Sequence, residues 1–196
     1  MFEEIKKFKV AVSGRHLHLT QELVDILFGK SHEIRPEVPT EGQFLSTSRV
    51  KVIGPKDSFD NVAIMGPCRN FNQFEISITD AFKIGVSPIV RMSGNIANTP
   101  GIKIAGPAGE VELAEGVIVA KRHIHLNPIL AEEYGLKNED SVMLRIDSPA
   151  RSLIFDDTII KMEDNPQSDS VAHIDTDEGN AAGISRFSEG YIIRKA

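Results

Sequence analysis

The chain has 196 residues, 41% of them hydrophobic and 26% charged, with a net charge of −6 and a single cysteine, Cys68. This length suits one domain or two small ones, and the acidic balance argues against nucleic acid, whose binding needs clustered Lys and Arg. One cysteine excludes an intramolecular disulfide and fits a reducing cytosol. No apolar run reaches the ~18 residues of a membrane span, so no membrane partner is expected.

The first third of the chain predicts short strands around one helix. Lys9–Val12 alternates as a strand that RHLHL continues. Thr20 is a candidate N-cap for a helix over QELVDILF, which ends at Gly29. Residues 30–44 predict a loop because Pro and Gly interrupt them. VKVIG and FDNVAIMG then predict two strands joined by a turn.

The following segments continue this pattern. FEISITDAFKIG predicts a strand that becomes a helix at Thr79 or Asp80 and ends at Gly85. SGNIANTPG, residues 93–101, is a candidate connector or functional loop, and IKIAGPAGEVEL predicts another hairpin. Short strands with three or four short helices indicate a mainly β (α+β) chain built from compact barrels or sandwiches.

One motif occurs twice. RHLHL at residues 15–19 matches RHIHL at residues 122–126, and both run into a helix start. The second helix, PILAEEY, begins after Asn127 with Pro128 at its first position. This repetition predicts an internal duplication.

The His-x-His pairs, His16 with His18 and His123 with His125, carry the chemistry of the repeat. On a strand, residues i and i+2 share a face about 6.6 Å apart, so two imidazoles can close on one ion. Zinc suits neutral imidazole, although ligand type alone leaves copper, nickel, cobalt and iron open. A single pair is more often a hydrogen-bonded feature, and it is the second copy that favours metal.

Further ligands have to come from elsewhere in the chain. His173 alternates with apolar residues in SVAHIDTD, and Glu75 lies in NQFEISI between positions expected to be buried. Each also has an ordinary structural explanation: His173 could be a hydrogen-bonded histidine of the core, and Glu75 could be the ion-pair partner of an arginine. His32 is expected to be a solvated loop residue. The acids after His173 are expected to form a turn and a helix cap.

Several segments resemble the phosphotransacylases of the phosphate propanoyltransferase (PduL) type: RHLHL, GPCRNFNQFEISITDAF, SGNIANTPGI, GPAGEVELAEGVIVAKRHIHL and HIDTDEGNAAG. The resemblance runs from about residue 9 to residue 183. It implies two β-barrel-like halves with a two-zinc site between them, which we expect at about 1–95 and 96–196, with chain segments that can cross between the halves. It also implies reversible acyl transfer between coenzyme A and phosphate.

The same resemblance assigns roles to residues. It implies one zinc ion held by His16, His18 and Glu75, and a second held by His123, His125 and His173. Arg69 matches the arginine that holds phosphate in the family, whereas residue patterns alone would make it a surface charge. Arg15 and Arg122 precede the histidines by one position, so they face away from the metals and are expected to be structural.

The implied partners are coenzyme A, acyl-coenzyme A, phosphate and acyl phosphate. Only MFEEIKKF precedes the first strand, so a free cytoplasmic enzyme is expected, with association with a bacterial microcompartment and homo-oligomer formation left open. The same ligands would also serve a zinc-dependent thioester hydrolase or a non-catalytic, metal-stabilised binding module. The choice between propanoyl and acetyl groups is open, because one methylene is worth only ~1–3 kcal/mol.

Overall fold

The structure is a computed structural model that describes residues 2–38 and 42–195, so residues 39–41 of the predicted 30–44 loop lie outside it. The chain forms two compact units, Met1–Gly14 with Lys121–Ala196, and Arg15–Ala120. The mainly β architecture is confirmed. In chain order the elements are β1 (Phe2–Ser13), β2 (His16–His18), α1 (Gln21–Phe28), β3 (Phe44–Ile53), β4 (Ser58–Gly66), β5 (Gln73–Glu75), α2 (Ile78–Ile84), β6 (Val90–Arg91), β7 (Ile102–Ala105), β8 (Glu110–Leu113), β9 (Val117–Ala120), β10 (His123–Leu126), α3 (Pro128–Glu133), β11 (Ser141–Ile146), β12 (Leu153–Met162), β13 (Val171–Asp175), α4 (Thr176–Ala182) and β14 (Phe187–Lys195).

The unit that contains both chain ends is a closed barrel in the order β1-β13-β10-β12-β11-β14. Its strands alternate, so that residues such as Ile124, Leu144 and Ile160 are fully buried inside while the neighbouring positions face outward. The histidines of β10 therefore lie on the outer face of the barrel, next to Ile124, which points into its core.

The unit formed by residues 15–120 is an eight-stranded sheet in the order β6-β9-β5-β2-β4-β3-β7-β8, which curls into half a barrel. Leu17, Ile64 and Phe74 anchor its core and are almost completely buried. Leu17 is paired with both Ile64 and Phe74 across the strands, so His16 and His18 point to the other face of β2.

The two His-x-His strands have the same surroundings. Each pairs in parallel with the second strand of the hairpin that follows it, β2 with β4 and β10 with β12. Each pairs antiparallel with the next strand, β5 or β13, and that strand leads into a helix. This common order of pairing supports the duplication that the repeated motif predicts.

The first strand of each repeat is exchanged between the units. β1 precedes β2 in the chain but pairs in parallel with β13 of the barrel. β9 precedes β10 but pairs in parallel with β5 of the sheet. The units consequently change at residues 14/15 and 120/121, which differs from the expected division at about 95/96, because β7 pairs with β3 and β9 pairs with β5.

Most predicted elements are confirmed, including α1, α3 and both hairpins. Thr20 and Asn127 cap their helices as predicted, by accepting from Leu23 and Leu130 N–H. α2 begins at Ile78, slightly before the predicted start, because the Ser77 side chain accepts from Asp80 N–H.

The prediction that RHLHL continues the first strand is wrong, since β1 ends at Ser13 in the barrel and β2 begins in the sheet. Within the described chain, no helix is long and apolar enough to cross a membrane.

Candidate functional site

The first histidine pair forms a compact group with Glu75. His16 is the direct partner of Glu75 across β2 and β5. The Nε2 atoms of His16 and His18 lie 3.3 Å apart, and they lie 3.5 Å and 3.4 Å from the two carboxylate oxygens of Glu75. His18 and Glu75 are 3% and 9% exposed. The donor atoms of all three residues lie within 4.8 Å of one another, so this group can hold a metal ion.

The second pair has the corresponding arrangement in the barrel. His123 is the direct partner of His173 across β10 and β13, as His16 is of Glu75. The Nε2 atoms of His123 and His125 are 3.1 Å apart. The His173 ring stacks on His123 at 5.4 Å and meets the edge of His125 at 5.2 Å. The structure thus brings the three predicted histidines into contact.

Neighbouring acceptors fix the tautomers of this second pair. His123 Nδ1 lies 2.9 Å from the Lys121 carbonyl oxygen, and His125 Nδ1 contacts the Glu163 carboxylate. Both partners are acceptors, so both Nδ1 atoms carry the hydrogen and, in the neutral rings, both Nε2 atoms present lone pairs to each other. Neutral imidazoles adopt this arrangement around a shared cation, and such acceptors are the usual support of metal-bound histidine.

The distances in the first group fit zinc. Four ligands at about 2.0–2.1 Å in a tetrahedron lie about 3.3–3.4 Å from one another. The Nε2–Nε2 distance of 3.3 Å and the Nε2–carboxylate distances of 3.4 Å and 3.5 Å match this spacing. His18 Nδ1 is buried and has no hydrogen-bond partner among the described residues, so the polar contacts of this ring are on its Nε2 side. Two imidazoles and one carboxylate are also donors that zinc accepts.

The surroundings of Glu75 and His18 shift the pKa of each side chain. Burial of Glu75 by itself raises its pKa, but hydrogen bonds from His18 and Ser93, together with the charges of His16 and His18, hold that pKa well below its usual range. Burial lowers the pKa of His18, which favours the neutral ring. A carboxylate beside neutral imidazole is the form that binds metal at neutral pH.

The arginines that precede the histidine pairs are structural, as the sequence predicts. Arg15 lies over the Phe59 ring at 4.1 Å and pairs with Asp80 at 3.7 Å. Arg122 lies over Phe155 at 5.2 Å and pairs with Glu178 at 3.0 Å. Asp80 and Glu178 occupy the same first-turn position of α2 and α4. Each arginine therefore ties a His-x-His strand to the helix that follows the third side chain of its group.

Arg69 lies beside the first group. Its backbone N–H donates to Leu19 O at 2.9 Å, which fixes the loop after β4 to the strand of His18. Its guanidinium is half-buried, donates to Gln43 Oε1 at 2.9 Å and lies 5.5 Å from the centre of the Phe71 ring. Burial lowers the pKa of Arg69 and the charge of Glu75 raises it, and an arginine stays protonated in either case.

Three supporting residues are absent from the sequence prediction. Gln73 and Ser93 contact the Glu75 carboxylate, and Glu163 contacts His125. Gln73 lies two positions before Glu75 in NQFEISI, and strand alternation therefore puts both on one face, which is the signal the sequence offers for Gln73. Ser93 and Glu163 approach from segments 18 and 38 residues away, a separation that no local pattern reveals. His32 lies apart from both groups, stacked on Phe28 at 4.3 Å and bonded to Ser48 at 2.8 Å.

The fold and this site define a class: duplicated β-sheet proteins with a buried histidine–glutamate group that can hold a metal ion. Comparison with known proteins narrows the class. The sequence model of the family described as phosphate propanoyltransferase matches residues 9–185. The chain therefore belongs to the phosphate propanoyltransferase family, a family of acyltransferases.

Individual relatives agree over almost the whole chain. The chain is 45% identical to the phosphate propanoyltransferase of Thermotoga maritima over 186 residues, which cover 94% of this chain and 88% of the relative. It is 45% identical to that of Leptotrichia buccalis over 97% of this chain and 90% of the relative. For the Listeria monocytogenes protein of the same name the identity is 42%, over 95% and 87%.

Proposed function

We propose that this protein transfers a short acyl group, propanoyl or acetyl, between coenzyme A and inorganic phosphate at a site with two zinc ions. The observation that carries the proposal is the convergence of His16, His18 and Glu75 at the spacing of a zinc site, in a chain that matches the family over residues 9–185. The equivalent strand pairing in the second repeat, with the contacts among its three histidines, supports His123, His125 and His173 as ligands of the other ion.

Arg69 is the proposed phosphate-binding residue. Its planar guanidinium can form two parallel hydrogen bonds to phosphate, and its half-buried position beside Glu75 reduces competition from water. Gln43 and Phe71 hold the side chain in place, so phosphate meets an oriented donor. This charge also offsets the carboxylate, which would otherwise repel an anionic substrate.

The reaction itself is a substitution at the thioester carbon. An oxygen of the bound hydrogen phosphate attacks that carbon and forms a C–O bond, the C–S bond breaks, and the thiolate of coenzyme A departs. The phosphate releases its proton to solvent and the thiolate takes one up, so no net proton is gained or lost. Zinc, when bound, supplies a Lewis acid for the carbonyl oxygen and a soft partner for sulfur. The chain's own contribution is to hold phosphate at Arg69 and to fix the ligands through their hydrogen bonds.

The test is thiol release from propanoyl-coenzyme A, measured with and without phosphate. We expect release to require phosphate and to give an equal amount of propanoyl phosphate, trapped with hydroxylamine. His16→Ala should abolish turnover, while the matched control His32→Ala should keep it, because His32 lies outside both groups. Thiol release that proceeds equally without phosphate would establish a hydrolase, and its absence in both conditions a binding module.

A further inference from the structure

The two oxygens of the Glu75 carboxylate have different surroundings. Oε1 accepts a hydrogen bond from Gln73 Nε2 at 2.6 Å and another from Ser93 Oγ at 3.0 Å. Oε2 faces His16 Nε2 at 3.5 Å. Oε1 also lies 3.4 Å from His18 Nε2. Because Oε1 already accepts two hydrogen bonds, which use its two lone pairs, Oε2 is the oxygen whose lone pairs are available to an ion held with the histidines.

The orientation of the Gln73 amide is determined by its neighbours. The N–H of Gly94 donates to Gln73 Oε1 at 2.7 Å, and a backbone N–H can only donate, so the amide oxygen must face Gly94. Gln73 Nε2 therefore points the other way and donates to both Glu75 Oε1 and Ser93 Oγ, at 2.6 Å and 2.9 Å. The Ser93 hydroxyl, having accepted from Gln73, donates to Glu75. Every polar atom of this small network has a partner.

Burial makes the network rigid. Gln73 is completely buried, and it is the direct partner of His18 across β2 and β5. The second repeat has Val171 at the corresponding position, opposite His125, so the network belongs to the first group alone. It also ties residues 93 and 94, the start of the SGNIANTPG segment, to the carboxylate.

We propose that Gln73 and Ser93 are positioning residues that restrict Glu75 to binding its ion through Oε2 alone. This inference rests on the proposed metal site. A carboxylate held by one oxygen occupies one coordination position, whereas a carboxylate free to rotate can supply both oxygens and occupy two. With His16 and His18, binding through a single oxygen would provide three protein ligands and would leave a fourth position open to substrate.

The test uses metal binding rather than turnover. Zinc affinities are measured by competition with a chromophoric chelator in the whole chain, which should show two binding steps. Ser93→Ala should weaken one step by about tenfold, within the range of 10- to 100-fold that loss of an outer hydrogen-bond partner costs, and should leave the other step unchanged. Ser93→Thr keeps the hydroxyl and should restore the affinity.

A matched control separates this role from stability. Ser77 is 4% exposed and lies two residues after Glu75, but its hydroxyl accepts from Asp80 N–H and caps α2. Ser77→Ala should lower the melting temperature and leave both zinc affinities unchanged. Gln73→Met, which keeps the length of the side chain and removes both donors, should weaken the same step at least as much as Ser93→Ala.

The visible spectrum of the cobalt-loaded chain reports the coordination number directly. Four-coordinate cobalt absorbs more strongly than five-coordinate cobalt. Ser93→Ala removes one of the two hydrogen bonds to Oε1 and so frees a lone pair of that oxygen for the metal, and we expect a weaker absorption band at one of two ions. If Ser93→Ala and Gln73→Met leave both zinc affinities and the cobalt spectrum unchanged, this inference is overturned, while the proposed metal site still stands. A wild-type chain that binds neither metal would overturn the proposed metal site, and this inference with it.

Discussion

The Arg69 guanidinium is held by Gln43 beside a buried carboxylate, a setting that an exposed turn residue does not have. Arg69→Ala should reduce kcat/KM for phosphate by about ten- to a hundredfold, because losing a hydrogen bond to a charged group costs roughly 1.5–3 kcal/mol. Arg69→Lys keeps the charge but loses the two-pronged contact, so it should recover only part of the activity. Steady-state kinetics at varied phosphate measure both.

Zinc content and the melting temperature serve as controls for Arg69→Ala and should both match the wild type. An alanine variant with unchanged phosphate KM and kcat would contradict the assignment of Arg69.

Cys68, the neighbour of Arg69, could be mistaken for an acyl-carrying nucleophile. Its thiol donates to Gln21 Oε1 at 3.4 Å, and burial, together with the charge of Asp25, raises its pKa. A raised pKa leaves less of the nucleophilic thiolate at neutral pH. Cys68→Ser should therefore keep turnover within about threefold, as measured by thiol release. Loss of several orders of magnitude with intact metal content would instead require a covalent intermediate on sulfur.

At the level of single residues, the sequence predicts those members of the site that belong to a local sequence pattern. The repeated motif indicates His16 and His18, alternation along a strand indicates Glu75, and the structure brings the three together. Arg69 has no periodic signal, because its position depends on a backbone hydrogen bond to Leu19, 50 residues earlier, and only the family resemblance indicated it.

The strand-to-helix junctions are the elements that place the histidines. Thr20 caps α1 immediately after β2, and its own N–H donates to Asn72 Oδ1 at 2.8 Å, which joins β2 to the segment before β5. Thr20→Ala should lower the free energy of unfolding by about 1 kcal/mol, the usual cost of losing a cap. Chemical denaturation measures this loss. Thr20→Ser retains the hydroxyl and should recover most of the stability, whereas equal losses in both variants would show that the methyl group matters instead.

Helix ends were predictable because capping chemistry is local. Thr20, Asn127 and Asp175 each accept from a backbone N–H three residues later, as their side chains allow. The break between β1 and β2 was not predictable, since both segments alternate and nothing in the sequence at Gly14 shows that the chain leaves one sheet for another. Strand pairing depends on distant partners, and a single sequence does not display them.

In the whole molecule, the exchange of β1 and β9 explains why the expected division differs from the two units. Composition shows no shift at residue 14 or 120, where the chain passes between sheets, because both sides are ordinary strands. The repeated RHxHL motif was the better guide to organisation. It marks the equivalent strand in each unit, and the pairing around both copies agrees.

Because each histidine group lies within one unit, the two should lose metal separately. Glu75→Ala should reduce bound zinc from about two ions to about one, and His173→Ala should do the same. Elemental analysis of each purified variant, with circular dichroism to confirm folding, gives the counts. Loss of all zinc in a folded Glu75→Ala chain would mean instead that the two groups bind cooperatively.

The most direct test of a zinc-dependent acyltransferase is the zinc content of active protein. The chain is purified without chelator, its phosphate-dependent release of thiol from propanoyl-coenzyme A is measured, and the same sample is analysed for transition metals. The two histidine groups predict about two zinc ions per chain, with activity lost on chelation and restored by added zinc. Full activity in protein that contains no bound transition metal would contradict this prediction.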